Sequence, residues 1–324
     1  MALVSVLIPC YNAELWIAQA IESALNQSWA EKEVLVVDDG STDKSLSVIR
    51  GFGDRIVWQT GPNRGGNVAR NCLLEAARGE WLQYLDADDY LLPNKVANQM
   101  KALANEPAAD VIFGPVTMEY CSAKGNRREQ LPIPAPHDPW VLLARWHLPQ
   151  TGAVLWRKQA LLEVGGWKPE QSCCQEHELY SRMLIAGKRF SYCPQNGAIY
   201  RQWSEHTICR RNKAEVHRRR LEIEQRVEDF LRSCGEITRE RLWAINQARF
   251  ELARLAWQYD PEFATEIVRS IRRSQPGFLP GGNAAPWFYR LAYSLLGFPI
   301  AEHIADKRRT WLRRQPTVAT ALSK

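Results

Sequence analysis

Residues 80–93 read EWLQYLDADDYLLP. An apolar, aromatic run (Trp81, Leu82, Tyr84, Leu85) stops at three acids, Asp86, Asp88 and Asp89, and a second apolar pair with Pro93 follows. The run predicts a buried strand, and Pro93 the opening of a helix. A strand that delivers carboxylates at its carboxyl end is where an open α/β sheet places its ligand site. Carboxylates this close repel one another, and a divalent cation offsets that repulsion. The plainer alternative is a strand-to-helix turn whose acids cap the next helix. Capping needs one acid, and here there are three.

Upstream, the same grammar repeats. Residues 3–8 form a β-branched apolar run closed by Pro9, a buried first strand. Asn12 is placed to cap a helix over 14–27, where Ile17, Ile21 and Leu25 recur at helical spacing. Residues 33–37 are a second apolar strand ending in Asp38 and Asp39, with Ser41 or Thr42 as cap of a helix reaching Arg50. A weaker strand over 55–59 and an amphipathic helix over 66–78 lead to the strand at 81–85. Strand and helix alternate with short connections, which predicts an α/β fold with a mainly parallel sheet covered on both faces. Three loops after strands carry the polar chemistry: PCYN, DDGSTD and DADD.

Downstream of Asp110 the pattern loosens. Strands are expected over 111–118, 151–156 and 197–203, a proline-rich surface loop over 121–139, a tight turn at Gly165-Gly166 and a helix over 176–186. From Lys213 onward the text is helical, with Asp260-Pro261-Glu262 reading as a helix start. The expected organisation is therefore 1–110, 111–210 and a helical extension, 211–324. The 324 residues suffice for a full core, and 45% hydrophobic with 24% charged residues is a soluble globular composition. Eight scattered cysteines without a CxxC pair read as reduced thiols. The opening MALVSVLIPCYNAE shows no basic leader, and no apolar run is long enough to span a bilayer, so a cytoplasmic location is expected.

The combination VLIPCYN, VLVVDDGSTD, NRGGNVARN, GEWLQYLDADD and GGW…QEHELYSRM resembles the family-2 glycosyltransferases over residues 3–205. VVDDGSTD followed some 45 residues later by DADD is the most specific part. The resemblance implies a GT-A fold and transfer of a sugar from a nucleotide-diphospho-sugar, with a divalent metal (Mn2+ or Mg2+) and inversion at the anomeric centre. On that reading Asp86 lies towards the ribose and metal, Asp88 is the direct metal ligand, and Asp89 supports the site or caps a helix from Leu91. The residues agree with this chemistry. Asp39 (or Asp38) can accept from a base N–H or ribose hydroxyl, Tyr11 offers a ring face, and the backbone from Pro9 to Asn12 offers polar groups beside it. Arg70 can meet nucleotide or phosphate; the plainer role is an ion pair with an acid at the sheet edge.

The family's base is an aspartate ahead of an acid-Leu helix, and registering on Leu179 puts Glu176 there. This departs from the family pattern, since glutamate replaces aspartate and Gln175 replaces the preceding acid. Glu178 is the fallback, with a plain role as a solvated helix acid, and His177 is a neighbour rather than the base. His206 follows the last strand, where a histidine can reach metal or diphosphate. Tyr200-Arg201-Gln202-Trp203 is not the processive QxxRW pattern, so single-sugar addition to a glycan or lipid-linked hydroxyl is expected; a UDP-sugar as donor is what the resemblance implies. A non-catalytic nucleotide-sugar-binding protein is the alternative from another class. A nucleotidyltransferase is a third, though PCYNAE supplies no glycine-rich basic loop.

Charge is uneven. Residues 201–324 hold 23 Lys and Arg against 14 Asp and Glu, which leaves the first 200 residues at −3 within a total of +6. Arginines alternate with acids at helical spacing, which reads as solvated helix faces rather than a nucleic-acid surface. Residues 286–300, PWFYRLAYSLLGFPI, followed by Lys307-Arg308-Arg309, suit a segment lying on an anionic membrane, a helix packed on the catalytic domain, or a dimer contact.

Overall fold

Strand β1 (Val4–Cys10) is buried along its whole length except for half-buried Pro9, so apolar layers cover both of its faces. In the computed structural model, which describes residues 1–122, 125–203 and 212–314, it is followed by α1 (Ile17–Leu25), β2 (Lys32–Asp38), α2 (Ser45–Arg50), β3 (Val57–Thr60), α3 (Gly66–Ala76) and β4 (Trp81–Tyr84). Strands β3, β2, β1 and β4 lie side by side in that order, all parallel. Val6, Ile8 and Cys10 pack with Ile17, Ala20, Ile21 and Ala24 of α1. Strand alternation turns the equally buried Leu7 to the other side. Register aligns Cys10 with Asp38 and Asp38 with Thr60, while the Leu85 amide donates to the Leu7 carbonyl. The carboxyl ends of the four strands therefore share one edge. The chain runs from β1 to β2 and β3 on one side and then crosses to β4 on the other side of β1, a reversal of direction that opens a ligand crevice at the carboxyl ends of β1 and β4.

The elements that follow are β5 (Tyr90–Leu91), α4 (Lys95–Asn105), β6 (Val111–Phe113), β7 (Val116–Tyr120), β8 (Arg127–Leu131), α5 (Pro139–Ala144), β9 (Val154–Arg157), α6 (Lys158–Glu163), α7 (Gln175–Ile185), β10 (Phe190–Tyr192), β11 (Ala198–Gln202) and α8 (Lys213–Ser233). Strand β9 inserts antiparallel between β4 and β6, completing a seven-stranded sheet of order β10-β6-β9-β4-β1-β2-β3. Because β9 runs against β4, its amino end, preceded by a 3-10 turn at Thr151–Ala153, lies at the same edge as the carboxyl end of β4. A second sheet has the order β5-β11-β7-β8.

Several local expectations are corrected. The single strand expected over 111–118 is two strands in different sheets, parted at Gly114-Pro115. Proline has no N–H for a ladder, and a Cβ at Gly114 would stand 2.5 Å from the Cys193 carbonyl oxygen, so the chain passes there only as glycine. The segment 121–139 contains the exposed strand β8 rather than loop alone. Neither Asn12 nor Ser41 nor Thr42 caps a helix; α1 starts after Trp16 and α2 after Lys44. Asp89 does not cap a helix from Leu91 either, since Tyr90 and Leu91 are a strand and α4 begins at Lys95.

Contacts divide the chain into Met1–Phe230 and Leu231–Lys324. The second unit comprises α9 (Arg239–Ala256), α10 (Pro261–Ser274), α11 (Trp287–Leu296) and α12 (Phe298–Arg314). Asp260 caps α10 by accepting from the Phe263 amide, with Pro261 at the first position, as expected. Fully buried Phe250 is ringed by Phe278, Tyr289, Tyr293 and Phe298 at centroid distances of 5.5 to 6.1 Å. Among the described residues, no helix is long and apolar enough to cross a membrane.

Candidate functional site

The first two loops are stitched together by their own polar groups. Asn12, at φ +49, donates its amide to Ser41 Oγ (2.9 Å) and accepts the Thr42 amide on Oδ1 (2.8 Å). The Ala13 amide donates to Ser45 Oγ, and the Glu14 amide to Asp43. Asn12 is thus a lock between loops, and it leaves the Tyr11 ring 52% exposed at the strand edge. Pro9 sits beside Val37 in the ladder. Asp38 is buried and accepts the Thr60 hydroxyl (2.7 Å). Asp39 accepts the Arg64 and Gly65 amides, one on each carboxylate oxygen (2.9 and 2.8 Å), which holds the 61–65 loop against the sheet. A cleft of about 480 Å3 opens here, lined by both acids, Thr60, Pro62, Arg64 and, on α3, Val68, Ala69 and Cys72.

The acids after β4 meet a fixed cation. Arg70 on α3 is buried and donates to Asp86 Oδ1 (2.9 Å), Asn67 Oδ1 (3.1 Å) and Gln175 Oε1 (3.3 Å), with its guanidinium 4.8 Å from the Trp167 ring centre. The ion pair is the role the structure gives it. Asp88 Oδ2 accepts from the Trp203 indole (2.8 Å). Asp89 is fully buried, accepts the Arg201 amide on Oδ1 (2.8 Å), and its Oδ2 has no partner among the described residues. Burial first, and the neighbouring carboxylates second, push Asp88 up and Asp89 well up from the usual carboxylate range. Buried Arg201 braces the turn from beneath, reaching the Asp88 carbonyl, Gln19 and Glu119 and stacking on Trp16 (4.3 Å).

This donor set fits a hard divalent ion. Asp86 and Asp88 each keep one carboxylate oxygen that no side chain among the described residues engages, and their mutual repulsion is what a cation relieves. Among the described residues no three His, Cys, Asp or Glu side chains form a cage. The fit is therefore to an ion held by two carboxylates and completed by water and substrate phosphate oxygens, as magnesium-type sites commonly are. His206 lies outside the described residues.

Helix α7 brings the candidate base to the same edge. Gln175 touches Arg70, and half-buried Glu176 accepts the Thr151 hydroxyl (2.8 Å) on Oε1. The Glu176 charge acts on Arg70 and on Tyr200, which also feels Asp86 and Asp89. Glu178 is no solvated helix acid. It is buried against Lys168 (2.8 Å), Arg182 (2.9 Å) and Arg226 (3.1 Å); burial raises its carboxyl, and Lys168 and Arg182 outweigh that and hold it below the usual range. A carboxylate so committed is a poor proton acceptor, which removes the fallback. His177 stacks on Trp146 (3.8 Å), and burial followed by the Arg220 charge drives it down to about 3, so it stays neutral.

Sequence reasoning missed Thr151, Arg201 and Trp203. Thr151 was absorbed into a strand. Arg201 carried a signal, a charged residue inside the apolar run AIYRQ, which demands a buried partner.

The family model described as glycosyl transferase family 2 matches residues 5–164. Over residues 5–164 this chain belongs to glycosyl transferase family 2. An uncharacterized glycosyltransferase of Haemophilus influenzae is 34% identical over 131 residues, 39% of this chain and 51% of that protein. The UDP-Glc:alpha-D-GlcNAc-diphosphoundecaprenol beta-1,3-glucosyltransferase WfaP of Escherichia coli is 36% identical over 108 residues, 33% of this chain and 43% of WfaP. The chain thus spans about half, or less, of the length of these curated relatives. Among solved structures, S. aureus TarS 1–349 in complex with UDP-GlcNAc superposes with TM-score 0.56 at 17% identity, covering 95% of this chain and 92% of that one. The mannosyltransferase PcManGT from Pyrobaculum calidifontis in complex with GDP-Man and Mn2+ gives 0.51 at 18%, covering 96% and 81%. At these identities the likeness is one of fold, and this family-2 glycosyltransferase has the GT-A fold.

Proposed function

We propose that the chain transfers a single sugar from a UDP-sugar to a hydroxyl of a glycan or lipid-linked acceptor, with divalent metal and inversion of the anomeric centre. The observation that carries the reading is Arg70, which joins Asp86 at the end of β4 to the first turn of α7, where Glu176 stands. Donor-side acids and a base are thereby tied to one rigid strut. The nucleoside lies over the β1 and β2 ends, where Asp39 accepts from a base N–H and Tyr11 offers its face. Asp86 and Asp88 would hold the ion, which when bound would supply Lewis-acid stabilisation of charge on the departing diphosphate. Glu176 takes the proton of the acceptor hydroxyl on a carboxylate oxygen, and Thr151 orients that carboxylate by donating to Oε1. Titration with UDP, GDP and dTDP, each with and without Mn2+, on the wild type and Asp88→Asn tests the donor half. UDP binding that requires both Mn2+ and Asp88 is expected; absence of metal-dependent binding by all three nucleotides overturns the reading. Binding with no transfer to any hydroxyl acceptor, and no change in Glu176→Gln, would leave a nucleotide-sugar-binding protein.

A further inference from the structure

The second unit carries a surface that the transfer reading does not use. Helices α11 and α12 form an antiparallel pair turned at Gly297, which sits at φ +79. The Arg308 guanidinium stacks 3.9 Å from the Phe288 ring centre, so α12 doubles back along α11. Tyr289, Tyr293 and Phe298 face inward around Phe250. Half a helical turn away, Trp287, Leu291 and Leu295 stand 71%, 55% and 73% exposed, and Ile300 and Ile304 on α12 are 50% and 45% exposed. A periodic stripe of large apolar side chains left in water on two adjacent helices marks a docking surface rather than scattered surface apolars.

Charge selects the occupant. Arg290, Lys307 and Arg308 are exposed on the same pair of helices. The only acids in residues 286–314 are Glu302 and Asp306. Glu302 is fully buried between Arg254 and Arg309, and Asp306 is engaged by Arg309 and the Trp257 indole. Two copies meeting through this face would oppose arginines and lysine to their like, with both acids of the pair of helices already committed to other partners. An anionic bilayer supplies the missing negative charge and an apolar layer for the stripe. We propose that the outward face of α11 and α12 lies in the interface of an anionic lipid membrane, apolar stripe inward and basic residues at the phosphate level.

The test uses the full chain in vesicle flotation, with phosphatidylcholine alone and with phosphatidylcholine mixed with phosphatidylglycerol. The wild type is expected to float only with the anionic vesicles, and to lose binding as salt rises. Leu291→Glu with Leu295→Glu, both exposed and so neutral to folding, is expected to lower vesicle affinity at least tenfold while metal-dependent nucleotide binding is unchanged. Arg290→Gln and Lys307→Gln should each weaken it about fivefold. No flotation of the wild type with anionic vesicles, undiminished flotation of the glutamate variant, or indifference to salt overturns the proposal. A concentration-dependent dimer that the glutamate pair dissolves would assign the face to a second copy instead, and equally overturns it. The outcome is independent of the transfer reading, which is scored by nucleotide binding.

Discussion

Glu178→Gln isolates the buried cluster that holds α7, and with it Glu176, against the sheet edge. Glutamine keeps the volume and the acceptor oxygen but removes the charge, leaving Lys168, Arg182 and Arg226 facing one another. A hydrogen bond to a charged acceptor exceeds a neutral one by about 1 kcal/mol. Arg182, 15% exposed, counts in full, whereas Lys168 and Arg226 are 37% and 38% exposed and are discounted for solvent screening. The expected loss is about 2 kcal/mol in urea denaturation at neutral pH. The pH dependence has a definite sign. The carboxyl lies below its ordinary 4.5 in the folded chain, so its contribution is complete above 4.5 and disappears as pH falls through the lower folded value. Wild type and variant should therefore differ at pH 7 and converge in acid. A difference under about 0.5 kcal/mol at pH 7, or one that grows as pH falls, refutes the cluster's structural role.

The other expectations are shorter. Glu176→Gln should leave nucleotide affinity unchanged and slow transfer by about 10²-fold, read in steady-state turnover; unchanged turnover would move the base elsewhere. Trp203→Phe removes the donor to Asp88 Oδ2, and because the ring is 47% exposed the cost is about 1 kcal/mol, a roughly fivefold weaker Mn2+-dependent nucleotide binding by calorimetry. Gly114→Ala forces a methyl against the Cys193 carbonyl and should lower stability by about 2 kcal/mol in thermal melts, while an exposed glycine such as Gly277, with open space around it, tolerates alanine there.

The fold was legible where the chain is regular. Strands β1, β2 and β4 are buried on both faces, so each appears as an unbroken apolar run, and each ends in polar residues because the sheet ends there. Legibility failed where a residue's partner is distant. Asn12 looks like a helix cap because its neighbours are helical; that it locks onto Ser41 and Thr42 depends on β1 and β2 lying in register. The two strands around Gly114-Pro115 look like one because apolar residues flank the break on both sides, and the close pass of Cys193 at Gly114 is a contact that the local sequence does not report.

By itself the sequence determined the α/β class, the three loops at the strand ends and the candidates Asp39, Asp86 and Asp88, because alternation, turn chemistry and clustered acids are local signals; Glu176 became a candidate only through the family resemblance, by its register with Leu179. Tertiary structure alone decided which of these lie together. Antiparallel β9 carries Thr151 to Glu176, and Arg70 joins Asp86 to Gln175, which lies 105 positions along the chain from the arginine. Three cations drawn from separate stretches take Glu178 out of contention. Coulomb and hydrogen-bond energies depend on distance in space, and distance along the chain does not report it.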